Sequence, residues 1–497
     1  MAAINVTRTN IVLTPDPSRV LLRSFVPGDA QRMGAIAARI LAIPEERVTA
    51  LLHQVTVEFN HRHQGLRGLF LERFEQVREF LPTESTICES RRQLIGAYFL
   101  AEYSVESAAL FNPSLVPHPD QSGVPAGALR FVLSLRATGE GHISSITFRT
   151  GIIHADHRIE IVTPTGPLTE PRQIPNPVYE KGLFVRKLQE MGLACDFTER
   201  VTQRLGENFA LHDLRSSIDS ELLREGQADG VLHDDKNAAG GIWALARSNY
   251  EVHFLPDQQL SERILFPATA SQRNGIEDAR FVRFSNSDGR SVYYATFTAF
   301  DGKAVMPELV ETADFLRFRF LTLNGPAAQN KGMALFPRKV NGRYAMLGRQ
   351  DNENICIMFS DNVHFWNEHK VLLKPAFPWE LVQLGNCGSP IETEGGWLVL
   401  SHGVGPMRKY CIGAFLLDRD DPSKVIGRLR EPLLQPNQNE REGYVPNVVY
   451  SCGALLHDGV LIVPYGLADR ATGFATVPVD EVLAAMVASD VASDNTP

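Results

Sequence analysis

The stretch Gly396-Trp397-Leu398-Val399-Leu400-Ser401-His402-Gly403-Val404 decides the fold. A glycine ends a small polar turn, an apolar strand follows, and a polar side chain arrives a few positions on. The same order recurs in Gly127-ALRFVLSLR, Gly289-RSVYYATFT, Gly342-RYAMLGRQ and Gly459-VLIVPYGL. The last three steps between these glycines are 53, 54 and 63 residues, and the first, of 162, carries a helical segment. Period and copy number predict a five-bladed β-propeller, whose blades of four strands typically take about 40–50 residues each. A large β-sandwich, which also has regular turns, is the competing architecture. If the five strands are equivalent, their polar ends converge on one mouth of the central channel: Arg136, Arg349, His402, and Tyr465 with Asp469. Singly, each reads as a surface or loop residue; recurrence at one repeat position is what marks them.

Outward from this repeat, the texture changes twice. From Asp29 to Phe80, apolar residues recur at helical spacing, with Pro44-Glu45-Glu46 as a helix start, after a short strand over Arg19 to Phe25. His61, His63, Arg62 and Arg67 lie on that helical face and read as solvated. Alternating runs begin at Ile95 to Glu102 and continue with Leu129 to Leu135, Ile143 to Phe148 and Ile152 to Ile161. Helical spacing returns over about 166–239 and ends in the polar run Asp229 to Gly241. The chain is again β-like from Ile242 to Val477, before a short helix over Val479 to Val487 and a disordered tail. The expected organisation is an all-β propeller with a helical N-terminal extension (1–94), a first blade region (95–165), a helical insertion (166–240), the remaining blades (241–480) and a terminal helix with its tail (481–497).

Composition narrows the function. With 497 residues, 44% hydrophobic, 22% charged, a net charge of −9 and a pI near 5.9, the chain has ordinary globular composition and lacks the basic stripe that nucleic-acid binding needs. Six scattered cysteines without a Cys-x-x-Cys pair suggest neither a zinc site nor a disulfide framework. No run of eighteen apolar residues and no signal-peptide core stand out, which predicts a cytoplasmic protein with no membrane partner. Neither Gly-x-Gly-x-x-Gly nor Gly-x-x-x-x-Gly-Lys-Ser/Thr occurs, so no organic cofactor and no metal is expected. The expected partner is a small molecule, and a homo-oligomer stays open.

One further stretch carries chemistry: Asn274-Gly275-Ile276-Glu277-Asp278-Ala279-Arg280-Phe281. Successive strand residues face opposite ways, which predicts that only one of Glu277 and Asp278 serves a site. This motif, with Tyr293–Gly302, Ala334–Pro337, Gly396–Leu398 and His402–Val404, Gly413–Asp418, Pro446–Val449 and Tyr465–Asp469, resembles in unbroken order the successive motifs of glycoside hydrolase family 130. Leu110-Phe111-Asn112-Pro113 matches the family's opening blade. That family holds β-mannoside phosphorylases and related β-mannosidases on a five-bladed propeller.

The resemblance implies that Asp278 is the acid, protonating the bridging oxygen through a sugar hydroxyl while inorganic phosphate attacks with inversion. It implies that Arg349, His402 and Tyr410 bind phosphate, with Lys331 where many members have arginine. Asp469, Asn112 and Arg136 would hold the hydroxyls of the terminal mannosyl unit. A cationic wall suits a dianion, and arginine's planar fork suits it best. Hydrolysis would instead need a second carboxylate to activate water. Glu392 and Glu394 are the nearest such acids in sequence, and they precede Gly395-Gly396 in a turn. Phosphorolysis, hydrolysis by the same family, and sugar binding without turnover are the three functions the sequence leaves in view.

Overall fold

The computed structural model describes residues 4–82, 86–174, 178–226, 233–302 and 305–488. Its main body is a series of antiparallel meanders, each giving one inner strand and three successively outer ones. The first runs Ala109–Pro117, Leu129–Thr138, Ser144–Ile153, Ile159–Ile161; the second Gly275–Ser285, Ser291–Phe300, Val305–Thr312, Arg317–Thr322. The third runs Lys331–Leu335, Tyr344–Arg349, Ile355–Ser360, Lys370–Leu373. The fourth opens with Gln383–Asn386 and Ile391–Thr393, both paired with Gly396–Val404, and continues with Tyr410–Leu417 and Val425–Arg428. The last opens with Val449–Tyr450 and Leu455–His457, both paired with Val460–Leu467. It continues with Ala471–Pro478, and its outer strand is Thr7–Leu13, from the other end of the chain.

These strands read as near-continuous apolar runs because both faces are buried. Along Gly275–Ser285, Phe281 packs with Val116 and Phe148 of the first meander, while Val282 and Phe284 pack with Met346 and Met358 of the third. Along Gly396–Val404, Trp397 and Val399 meet Leu347 and Ile357 of the third, while Leu398 and Leu400 meet Leu461 and Val463 of the last. Ile462 and Phe474 of the last meander then pack with Leu115 and Leu133 of the first. Period-two alternation therefore sends each strand's side chains into two different cores, and the series of cores returns to its start.

The five repeat glycines all have positive φ; four lie in the turn before the second strand of their meander, and Gly396 is the first residue of its strand. At Gly396 the constraint is also steric, since a Cβ there would stand 2.2 Å from the Leu417 carbonyl oxygen.

Helices pack outside this body. Helices α1 (Ala30–Leu41), α2 (Glu45–Phe59), α3 (Leu66–Val77) and α4 (Glu89–Tyr98) share a core of Met33, Ile40, Val48, Phe74, Leu94 and Ile95. The run Ile95 to Glu102 is therefore not one strand: α4 holds its first half, and Leu100–Ser104 pairs with Val20–Ser24. Packing overrides the alternation there, because Gly96 lets α4 touch α3 where any Cβ would meet the Phe70 carbonyl. Ile152 to Ile161 is likewise two strands, closed by a hairpin turn at His154–His157.

The second helical region holds α5 (Lys181–Glu190), α6 (Asp196–Gln203), α7 (Leu211–Gly226) and α8 (His233–Ser248) around Phe184, Phe197, Phe209, Leu214 and Ile242. Helix α8 carries past the boundary expected near 240, because Ile242, Leu245 and Ala246 remain at helical spacing and buried. Part of the polar run after Asp229, and the tail from 489, lie outside the described residues. All six cysteines are free thiols.

Candidate active site

One device shapes the site in three adjacent meanders. In the second, pairing jumps between Glu277 and Arg280, and Asp278 takes φ +55°; in the first it jumps between Phe111 and Ser114, with Asn112 at φ +48°. The third jumps between Lys331 and Ala334, with Gly332 at φ +83°. Each is a bulge near the start of an inner strand, where an extra residue breaks the alternation and re-aims a side chain. Asp and Asn tolerate the left-handed conformation better than other non-glycine residues.

The bulge overturns the expectation that Glu277 points away from Asp278. Arg136, from the second strand of the first meander, donates from Nη2 to Glu277 Oε1 (2.7 Å) and from Nη1 to Asp278 Oδ1 (3.3 Å). Asn112 Nδ2 donates to the same Asp278 oxygen at 2.7 Å, and Lys331 Nζ reaches Glu277 Oε2 at 3.3 Å. Burial pushes the Asp278 carboxyl up, but Arg136, Arg280, Asn112 and Lys331 outweigh it and leave the group below the ordinary aspartate range. Asp469, in the turn after the last meander's second strand, goes the other way. Burial and the Asp278 charge push it up to about 6, against the pull of Arg136 and Arg408.

Within reach of the Asp278 charge stand Arg349 and His402. Arg349 is the cross-strand neighbour of Lys331 and donates from Nη1 to His402 Nε2 at 3.0 Å; its Nε has no partner. Burial, then the charges of Arg349 and Arg280, holds the His402 imidazole well below its ordinary range, so it stays neutral and accepts that bond. Its ring stacks on Tyr410 at 6.0 Å and meets the edge of Tyr450 at 4.9 Å.

The structure thus gathers Asp278, Asn112, Arg136, Asp469, Lys331, Arg349, His402 and Tyr410 at one end of the meanders. Tyr465 does not join them: its hydroxyl donates to Glu440 Oε1 at 2.7 Å inside the core, and Glu440 also holds Arg8. Glu392 pairs with Arg338 and Arg419, and Glu394 is exposed in its turn, so neither enters the site.

Residues that the sequence reading left without a role are Glu277, Arg280 and Tyr450. Buried Arg280 donates to the Asp278 backbone oxygen (3.1 Å), to the Cys387 carbonyl (3.1 Å) and to Tyr450 Oη (2.6 Å), tying the second, fourth and last meanders together. A signal for Arg280 was present, since it sits in the same motif as Asp278.

The chain also matches known proteins. The family model described as beta-1,4-mannooligosaccharide phosphorylase, glycoside hydrolase family 130, matches residues 242–488. A 1,2-beta-oligomannan phosphorylase from Thermoanaerobacter sp. (strain X514) is 38% identical over 232 residues, which are 45% of this chain and 75% of the relative. The chain belongs to glycoside hydrolase family 130. A beta-1,2-mannobiose phosphorylase from Listeria innocua serovar 6a is 33% identical, over 48% of this chain and 67% of its own length. The solved beta-1,2-mannobiose phosphorylase from Listeria innocua, in complex with beta-1,2-mannobiose, aligns with a TM-score of 0.46 at 24% identity, covering 77% of this chain and 93% of that one. Six of the eight gathered residues fall inside the span of the family 130 match; Asn112 and Arg136 precede it.

Proposed function

We propose that this family 130 protein is an inverting β-mannoside phosphorylase, converting a β-linked mannoside and inorganic phosphate into α-mannose 1-phosphate and a shortened acceptor. The observation that carries this reading is Arg349: a half-buried guanidinium that donates to a neutral histidine and whose buried Nε is unpartnered, beside Lys331. Such a group suits a dianion and makes a poor base for water. A phosphate oxygen bonds to the anomeric carbon from this side as the glycosidic C–O bond breaks. Asp278, protonated in the complex, gives its proton to a hydroxyl of the mannosyl unit, which passes its own to the leaving oxygen. Asn112, Arg136 and Asp469 hold that mannosyl unit. No organic cofactor enters the reaction, and the cytoplasm is its proposed place.

The meanders, their equivalent glycine turns and the cores that return from the last to the first support a five-bladed propeller, with the N-terminal helices and the 166–240 region as additions to it. Hydrolysis has one structural argument, the second carboxylate of Glu277. Both of its oxygens are committed to Arg136 and Lys331, which counts against a role as base. The deciding experiment incubates the protein with β-1,2-, β-1,3- and β-1,4-mannobiose with and without phosphate. Phosphate-dependent mannose 1-phosphate supports the proposal, and free mannose at the same rate without phosphate replaces it with hydrolysis.

A further inference from the structure

Helix α5 is bonded to the chain that delivers two of the site's cations. The segment 323–330 leaves the outer strand of the second meander and runs straight into Lys331–Leu335. In the last turn of α5, Lys187 Nζ donates to the Leu323 carbonyl at 2.9 Å, and Glu190 Oε1 accepts from the Gly325 amide at 2.6 Å. Lys187 Nζ also pairs with Glu190 Oε2 at 3.2 Å, so the two side chains hold each other in place. The turn before the third meander's outer strand grips the same segment. There the Asn324 amide donates to the His364 carbonyl (3.0 Å), the Trp366 amide to the Asn324 carbonyl (2.8 Å) and the Ala327 amide to the Trp366 carbonyl (3.1 Å). Gly325 is at φ +100°, and a Cβ on it would stand 2.1 Å from the Trp366 carbonyl oxygen. Asn330 is at φ +62°, a conformation that a non-glycine residue keeps where its surroundings over-determine it.

The segment passes this restraint on in two ways. Lys331 follows Asn330 directly. Gln350, next to Arg349, donates from Nε2 to the Ala327 carbonyl at 3.0 Å and accepts at its own carbonyl from Asn330 Nδ2 at 3.3 Å. Lys331 and Arg349 are cross-strand neighbours, so both hang from 323–330, one through the chain and the other through Gln350. Leu323 and Gly325 are buried, and a buried carbonyl or amide that loses its partner forces the backbone to move until it finds another. We propose that Glu190 and Lys187 are positioning residues for phosphate: by fixing Leu323 and Gly325 they fix where Lys331 and Arg349 stand. They act through the segment and not on the anion itself. This inference rests on the phosphorolysis reading of the site and gives the second helical region a part in it.

The test measures initial rates with phosphate and β-mannobiose varied in turn, and amide hydrogen exchange over 323–330, in wild type, Glu190→Ala and Glu190→Gln. Glu190→Ala removes a charge-assisted acceptor, so KM for phosphate should rise about five- to tenfold. KM for the mannoside should move far less, kcat at saturating phosphate should be largely kept, and exchange over 323–330 should quicken. Glu190→Gln keeps an oxygen for the Gly325 amide and should restore most of the phosphate affinity. A phosphate KM that Glu190→Ala leaves unmoved, or that rises in step with the mannoside KM, overturns the inference, as does a Gln variant as impaired as the Ala one. Where Glu190→Ala does not fold, Lys187→Met, which removes the bond to Leu323 and keeps the apolar stem, is judged by the same KM criteria. Product identity separates the two readings: free mannose at the same rate without phosphate overturns phosphorolysis, whereas mannose 1-phosphate with an unmoved phosphate KM overturns the positioning role alone.

Discussion

Replacing Asp278 by Asn removes a proton donor while keeping an acceptor oxygen for Asn112, now 2.7 Å away, and for Arg136 at 3.3 Å. General acid catalysis contributes about 10²–10⁴-fold, equivalent to about 3–5 kcal/mol of barrier, so phosphorolysis should fall by at least a hundredfold with the fold intact. The unliganded site sharpens this. Asp278 lies below the ordinary aspartate range, held there by Arg136, Arg280, Asn112 and Lys331 against its burial, so the unliganded site favours its carboxylate form. To act as the acid it must gain a proton as sugar and phosphate enter, displacing water and adding negative charge beside it. Phosphate and mannoside binding should therefore be accompanied by proton uptake, visible as a dependence of calorimetric enthalpy on the buffer's ionisation enthalpy. In Asp278→Asn that part of the dependence should disappear along with turnover. Near-normal release of mannose 1-phosphate by the variant would refute the assignment.

Arg349→Ala should raise KM for phosphate about 10–100-fold and KM for the mannoside far less, since the bonds lost are charge-assisted ones to the anion; initial rates with each substrate varied in turn check this. Asp469 titrates near 6 in the folded protein, above its unfolded value, so the folded form holds that proton more tightly and stability declines as pH rises through about 4–6. Asp469→Asn removes the decline, and its melting temperature should gain on wild type more at pH 7.5 than at pH 4.5. Fully buried Glu106 joins Arg19 (2.8 Å) and Arg149 (2.8 Å). Glu106→Ala would leave two buried guanidiniums unbalanced and should cost about 3–5 kcal/mol in urea unfolding.

The repeat was legible because its glycines answer a local need: a positive φ where the chain enters each second strand. Arg136, Arg349 and His402 were legible through their equivalent places at the ends of those strands. Tyr465 occupies a similar place and misled, since its hydroxyl has Glu440 to satisfy it in the core, and only tertiary structure reveals such a partner. The bulges were not legible. A single added residue at Asp278 or Asn112 leaves composition and spacing nearly unchanged yet reverses which side chains share a face, which is why Glu277 was sent the wrong way. Nor does anything local show that Ile95 belongs to a helix, because its alternation is settled by contact between α4 and α3.

The outer strand Thr7–Leu13 has a consequence for how the molecule is made. It is fastened through Arg8 to Glu440, 432 positions later, and Asn5 is tied to Glu481. At ~5–20 residues per second, this strand waits roughly 20–90 s on the ribosome before its partner emerges. Until then the edge it will cover does not exist, and once Ala471–Pro478 forms, that edge is open to strands of other chains. The final stitch of the fold is thus made by a segment translated more than 400 residues before the strand it pairs with. Aggregation during expression should be most sensitive to that short segment, far from the catalytic groups.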